Sequence, residues 1–263
     1  MDTRFWGPSG WRLLHTITFT YIPRTDKASV REFFMMLPFV LPCKYCRTSL
    51  SEYMERYNLD DALESRSKLC RWLWKIHNEV NSKLRNQKIP VNPDPPFEEV
   101  EEFYKDILSS GCSRTDFPGW DFLFSIADLH PYSKAARTSV PLTTAKPGAV
   151  PCESLTTLEE KNKRNCLKPE ERLPLYNKFW KNLGLVLPFK EWRESWAKHS
   201  DNSTLDTRSS TIKWLWNIRC NMENDLELLN RCNYSHLCKT LNNHRSDCNK
   251  KVRGKTCRKR RSE

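Results

Sequence analysis

Glycine is scarce in this chain, 7 of 263 residues, and nowhere do the glycines form G-x-G-x-x-G. That removes the glycine-rich phosphate turns of a doubly wound dinucleotide-binding sheet. No run of about 18 apolar residues occurs, so no membrane-spanning helix is expected. Met1–Trp6 lacks a basic stretch leading into an apolar one, so no secretory signal is expected, and a soluble chain made in the cytosol is the default expectation. The 11 cysteines never repeat a zinc-ligand spacing, so no metal site is expected.

What is abundant is tryptophan, 10 residues, and apolar spacing of three and four. The reading is all-α. A first helix is predicted from about Pro8 to Tyr21, and a second, capped by Asp26, runs to the Leu41-Pro42 break. A third begins at Cys43 and a fourth runs from Asp60 or Asp61 to Gln87, with the ladder Leu69, Leu73, Ile76, Val80, Leu84. After Pro90–Pro96 a short fifth helix is predicted over Glu98–Leu108. This makes a compact bundle over residues 1–112. Residues 113–230 form a second helical unit that includes a linker, 139–168, and 231–263 form a cysteine-containing tail. Charge follows the same division: residues 1–112 carry 16 Lys/Arg against 15 Asp/Glu, while 231–263 carry 11 against Asp247 and Glu263. The net charge of +12 is therefore mostly a property of the tail, a solvated terminus or a surface for acidic partners or nucleic acid.

The second unit echoes the first. Pairing each residue with the one 146 later matches Phe33/Phe179, Leu37/Leu183, Val40/Val186, Leu41/Leu187, Pro42/Pro188, Lys44/Lys190, Arg47/Arg193 and Ser49/Ser195. With shifted offsets, Trp72-Leu73-Trp74 matches Trp214-Leu215-Trp216, and Gly10-Trp11 matches Gly119-Trp120. The bland alternative is that amphipathic helices rich in Trp and Leu resemble one another. If the repeat is a duplication, its second copy has lost the chemistry: Cys43, Cys46, His15, His77, Asn78 and Asn81 become Phe189, Trp192, Phe124, Arg219, Cys220 and Glu223.

Cys43-Lys44-Tyr45-Cys46 places two sulfurs one helical turn apart at a helix start, where the helix dipole favours a thiolate. Zinc would need a second ligand pair, and only single residues such as Cys70 and His77 are at hand. On the fourth helix Trp74, His77, Asn78 and Asn81 form a stripe that can stack on and hydrogen-bond to a planar heteroaromatic ligand. A polar helix edge satisfied by water is the alternative.

Trp6-Gly-Pro-Ser-Gly-Trp-Arg-Leu-Leu-His15, Pro42-Cys-Lys-Tyr-Cys46 and Trp74-Lys-Ile-His77-Asn78-Glu-Val-Asn81 together resemble the Erv/ALR sulfhydryl oxidases in order, spacing and residue type. The resemblance covers residues 1–110. It implies a four-helix bundle that holds FAD without a Rossmann fold, with Trp11, His15, Tyr21, Trp74, His77, Asn78, Val80, Asn81 and Lys83 at the cofactor. It further implies that thiol-containing proteins exchange with Cys43, that Cys46 is the flavin-proximal sulfur, and that electrons reach FAD and then molecular oxygen, yielding hydrogen peroxide. The C-x16-C structural pair of cellular relatives is not reproduced here. Those relatives are commonly homodimers, and the degenerate second bundle could take the partner's place, giving a pseudo-dimer with one flavin. Large DNA viruses carry divergent oxidases with an extra helical domain, so a viral source, and with it host cytoplasm or virion, is an expectation by analogy. Cys232, Cys238, Cys248 and Cys257 admit structural disulfides, a redox shuttle or zinc. The rival functions are a nucleic-acid-binding or assembly protein using Lys250–Arg261, and an inactive oxidase fold kept as a scaffold.

Overall fold

The structure, a computed structural model, describes residues 2–111, 117–133, 167–200, 205–229 and 232–245. Among these residues all regular structure is helical. The first bundle comprises α1 (Thr3–Thr20), α2 (Pro23–Val40), α3 (Lys44–Arg56), the single turn α4 (Leu59–Ala62), α5 (Arg66–Asn86) and α6 (Phe97–Ser109). The second comprises α7 (Trp120–Asp128), α8 (Pro169–Val186), α9 (Lys190–His199), α10 (Arg208–Asp225) and α11 (Tyr234–His244).

Capping chemistry accounts for boundaries that periodicity misplaces. α1 starts at Thr3, not Pro8, because the Asp2 carboxylate accepts the Arg4 N–H and caps the helix; Pro8 then lies inside it. α2 starts at Pro23, whose fixed φ suits a first turn, and Asp26 Oδ2 reaches back to accept the Ile22 N–H. The predicted long fourth helix is interrupted after Ala62. Asn58 caps α4, and the Ser65 hydroxyl, accepting from Lys68 N, begins α5 afresh.

The two bundles share one core. Phe33, Phe34, Leu69, Leu73 and Ile76 of the first and Phe179, Leu183, Leu215 and Ile218 of the second are all buried and belong to a single contiguous cluster. Burial of each such side chain contributes roughly 1.5–3 kcal/mol. The units meet along α2 against α8 and α1 against α7. α2 and α8 correspond end to end, Pro23 with Pro169 and Val40 with Val186. Phe33 stacks on its own counterpart Phe179, with ring centroids 5.5 Å apart, and Lys178 Nζ lies 2.8 Å from Glu32. A Cβ on Gly10 would meet the Phe122 ring, and one on Gly119 would meet Leu13. Since Gly10 corresponds to Gly119 and Leu13 to Phe122, these two contacts are reciprocal, the signature of an approximate two-fold relation.

The stretch assigned to the tail contains a helix. α11 packs on α7, with Leu237 and Leu241 buried and Tyr234 against Trp216 at 5.2 Å. It mirrors α6, whose Phe97 packs against Trp74 at 5.9 Å. Asp128, fully buried on α7, receives Arg208 of α10 and Arg245 beyond α11, so that one carboxylate joins three elements. Cys112, Cys152, Cys166, Cys248, Cys257, most of the linker and the basic run Lys250–Arg261 lie outside the described residues.

Candidate active site

The break at Leu41-Pro42 ends α2 and sets up the cysteine pair. Cys43 is the extended N-cap of α3, and its carbonyl accepts the N–H groups of Cys46 and Arg47 at 3.1 and 3.0 Å. The pair therefore occupies the first turn, where unsatisfied N–H groups favour negative charge. Cys43 is buried and Cys46 half-buried. The cysteine assigned to substrate exchange is thus the more covered of the two. Arg47, 1% exposed, donates to Leu41 O at 2.9 Å. Its pKa is pulled down to about 9, first by burial and then by the nearby Arg172 charge, while Cys43 and Cys46 pull the other way. Arg172 arrives from α8, is itself buried, and donates to Phe39 O at 3.4 Å.

The ligand stripe of α5 faces α1. Trp11 and His77 stack at 4.0 Å and 10°, and His15 Nε2 lies 3.3 Å from His77 Nδ1. Burial drives the His15 pKa down to about 3, with the His77 charge second, and that of His77 to about 4, opposed by Asp94. Both imidazoles are therefore neutral near pH 7, each able to donate at one nitrogen and accept at the other. His15 Nδ1 is buried without a hydrogen-bond partner among the described residues. Lys83 Nζ binds Ser49 Oγ at 2.5 Å, tying this face of α5 to α3 and so to the cysteine turn.

Of the residues predicted for the site, Trp11, His15 and His77 come together directly. Asn81 lies one turn farther along α5 and donates to Asp94 Oδ1 at 2.7 Å, and Trp74 Nε1 donates to Pro95 O at 3.0 Å. Both hold the Pro90–Pro96 segment against the stripe. Asn78 is half-buried with no hydrogen-bond partner among the described residues, and Val80 packs at the edge of the core. The Tyr21 hydroxyl donates to Leu63 O at 2.7 Å, which fastens the end of α1 to the α4–α5 junction. Sequence reasoning missed Asp94, which also pairs with Arg85, and Tyr104, which stacks on His15 at 5.2 Å. The signal for Tyr104 was present, since it faces the core at helical spacing from Phe97 and Val100; Asp94 in a proline-rich loop carries none.

An FAD-like group suits this donor set. Indole and imidazole faces can stack on planar rings, the unpartnered His15 Nδ1 and the Asn78 carboxamide can bond ring heteroatoms, and Lys83 and Arg85 can meet a diphosphate. The corresponding place in the second bundle does not suit it. Arg219, where His77 would be, binds Glu223 at 2.6 Å, and its guanidinium sits 5.4 to 5.9 Å from the Trp120, Phe124 and Trp216 rings. A buried ion pair in an aromatic box fills the space.

Residues 8–104 match the sequence model of the Erv1/Alr family. The mitochondrial FAD-linked sulfhydryl oxidase of Saccharomyces cerevisiae is 35% identical over 94 residues, 35% of this chain and 49% of that protein. A protein of Acanthamoeba polyphaga mimivirus, named a "probable FAD-linked sulfhydryl oxidase", is 36% identical over 85 residues, 31% of this chain and 59% of its own length. An Invertebrate iridescent virus 3 protein with an FAD-linked sulfhydryl oxidase name is 27% identical over 92 residues, 34% of this chain and 62% of that one. The chain thus spans about half to three-fifths of the length of these relatives. No solved structure matches the chain.

Proposed function

We propose that the chain, whose residues 8–104 match the Erv1/Alr family model, is an FAD-linked thiol oxidase that forms disulfides in thiol-containing proteins. The observation that carries the reading is one cluster where α1 packs on α5, which gathers Trp11, His15 and His77 and is tied through Lys83 and Ser49 to the helix bearing Cys43–Cys46. FAD, when bound, supplies a two-electron acceptor that hands electrons on to molecular oxygen as hydrogen peroxide.

The protein's own work is exchange and positioning. In the oxidised pair, a substrate thiolate attacks Cys43 Sγ, the Cys43–Cys46 bond breaks, and Cys46 leaves as a thiolate at the N-terminal turn of α3. A second substrate thiol then displaces Cys43, leaving a substrate disulfide and a Cys43/Cys46 dithiol. Trp11 and His77 give stacking faces, and neutral His15, Asn78 and Asn81 give directional hydrogen bonds. Lys83 adds positive charge between α5 and α3.

The second bundle stands in for a dimer partner, with one flavin per chain. The reciprocal Gly10–Phe122 and Gly119–Leu13 contacts and the Arg219–Glu223 ion pair support this reading. The faces of α1 and α2 that α7 and α8 cover are not open to a second copy.

The test is the visible spectrum of purified chain together with oxygen uptake on dithiothreitol, for the natural sequence and Cys46→Ser. One flavin per chain, and uptake that disappears in the variant, is the expected result. A colourless protein that added FAD does not reconstitute would overturn the oxidase, and two flavins per chain would overturn the single site.

A further inference from the structure

The last turns of α10 and the start of α11 bring two half-buried cysteines to one place. Trp216 and Cys220 are four residues apart on α10 and share a face of the helix. α10 is capped at Leu226, Glu227 takes a positive φ of 53°, and the Leu228 N–H returns to Glu223 O at 2.9 Å, which reverses the chain. Asn233 then caps α11, and the Tyr234 ring meets Trp216 at 5.2 Å. The chain beyond the turn is thus anchored beside Glu223 and again beside Trp216. Cys220 stands on α10 between those anchors, and Cys232 comes two residues before the second. Cys232 packs against the shared core and donates to Asn233 O at 3.5 Å. The two thiols feel each other: the Cys220 pKa is raised first by burial, then by the Glu223 charge and also by Cys232, with Arg219 opposing.

The repeat makes the placement specific. In the first bundle the link from α5 to α6 also turns on a positive φ, 57° at Lys88, and it is latched by polar side chains: Asn81 donates to Asp94, and Trp74 to Pro95 O. The second bundle does not repeat the Asn81 latch, because Glu223 takes that position and binds Arg219 in the aromatic box. It carries instead Cys220, where the first bundle has Asn78, and Cys232 in the returning segment. Cys238 is a poorer partner for either. It is exposed, lies one turn beyond Tyr234 on α11, and has Tyr234 and Arg245 as neighbours.

We infer that Cys220 and Cys232 are a second thiol–disulfide pair, closed by exchange with a small-molecule disulfide, whose bond staples α11 to α10. Cys232 opens the exchange, because burial and the Glu223 charge disfavour the thiolate at Cys220. The Cys232 thiolate attacks oxidised glutathione, forming a mixed disulfide and releasing one glutathione thiolate. Cys220 then gives up its proton and attacks the Cys232 sulfur, which releases the second. Two electrons and two protons pass from the cysteine pair to two glutathione molecules. The staple reaches beyond its own bundle: His244 of α11 stacks on Phe5 at 4.3 Å and its carbonyl accepts the Asp2 N–H, so fixing α11 also fixes the start of α1. The pair is separate from Cys43–Cys46 and does not depend on the oxidase reading.

The experiment exposes reduced full-length chain to oxidised glutathione, alkylates the remaining thiols and maps tryptic peptides by mass, for the natural sequence, Cys238→Ser, Cys220→Ser and Cys232→Ser. Trypsin cuts after Arg219 and Arg231, so the bond joins two peptides that begin at Cys220 and Cys232. That linked pair is expected in the natural chain and, unchanged, in Cys238→Ser, where no other cysteine of the two peptides can make it. Cys220→Ser should instead hold glutathione at Cys232, and Cys232→Ser should take it up at Cys220 about fivefold more slowly. Cys220 and Cys232 both alkylated after exposure, or a bond from Cys232 to Cys238, would overturn the pair. Equal capture rates in the two single variants would overturn Cys232 as the attacking thiol. Should a serine variant not fold, fragmentation of the linked peptides from the natural chain assigns the bond to Cys232 or Cys238 without it. Flavin content and oxygen uptake report on Cys43–Cys46 alone, so the two readings fail independently.

Discussion

Replacing His15 with phenylalanine, the residue at the corresponding position 124, should flatten the acid limb of the stability curve. His15 is 2% exposed, and its pKa falls from 6.5 to about 3, mainly through burial and secondarily through His77. The folded state holds it neutral while the unfolded chain binds a proton below pH 6.5. Stability is therefore fully present above pH 6.5 and is lost as pH falls toward 3, by up to about 1.4 kcal/mol per pH unit. Between pH 6.5 and 4.5 the natural chain should lose on the order of 2 kcal/mol through this group alone. In His15→Phe that loss disappears, leaving a comparable loss over the same window from His77, whose pKa is lowered to about 4, so the total fall is about halved. Urea unfolding at several pH values, read as midpoint with an unchanged m-value, measures the difference. Parallel curves for the two proteins would show that His15 does not titrate on unfolding, and would refute its assignment as a buried neutral imidazole.

Other outcomes follow from the same geometry. Asp128→Asn leaves Arg208 and Arg245 facing a neutral amide at a fully buried site, and should cost about 3 kcal/mol in chemical denaturation. Gly119→Ala puts a methyl group 2.7 Å from Leu13 Cδ2 and Phe117 Cε1 at the α1–α7 contact, and should cost about 1–3 kcal/mol; a melting temperature equal to the natural chain's would contradict the close approach. With a peptide carrying an activated disulfide as probe, Cys43 of Cys46→Ser should displace the leaving thiol and hold the peptide as a stable mixed disulfide; faster capture by Cys46 of Cys43→Ser instead would reverse the two roles.

Legibility in the sequence tracked how local the cause was. The helices were readable because Phe33, Leu37 and Val40, or Leu69, Leu73 and Ile76, carry the three-to-four period in a glycine-poor chain. Where side chains override period, the reading slipped: Asp2 moved the start of α1 and Ser65 divided the fourth helix. The repeat drew attention to Arg47 and Ser49 as shared positions, and both prove to be anchors of the cysteine turn. The bond from the Tyr21 hydroxyl to Leu63 O was hidden, because nothing local in the sequence shows it. The approach of Arg172 to the end of α2 was invisible for the same reason, since Phe39 is 133 residues away in sequence. The helix in the presumed tail was masked by a charge count dominated by residues beyond it.

Carrying both bundles in one chain also frees the axis from symmetry. In a true two-fold dimer of the first bundle, Glu32 would face Glu32, Gly10 would face Leu13 twice over, and any residue entering the partner's redox turn would enter it from both sides. Here Glu32 faces Lys178 and Gly10 faces Phe122. The interface is intramolecular, so dilution does not dissolve it, and each side can be selected separately. Such a chain can specialise one half for electron transfer and use the other as a permanent, tunable wall of the first.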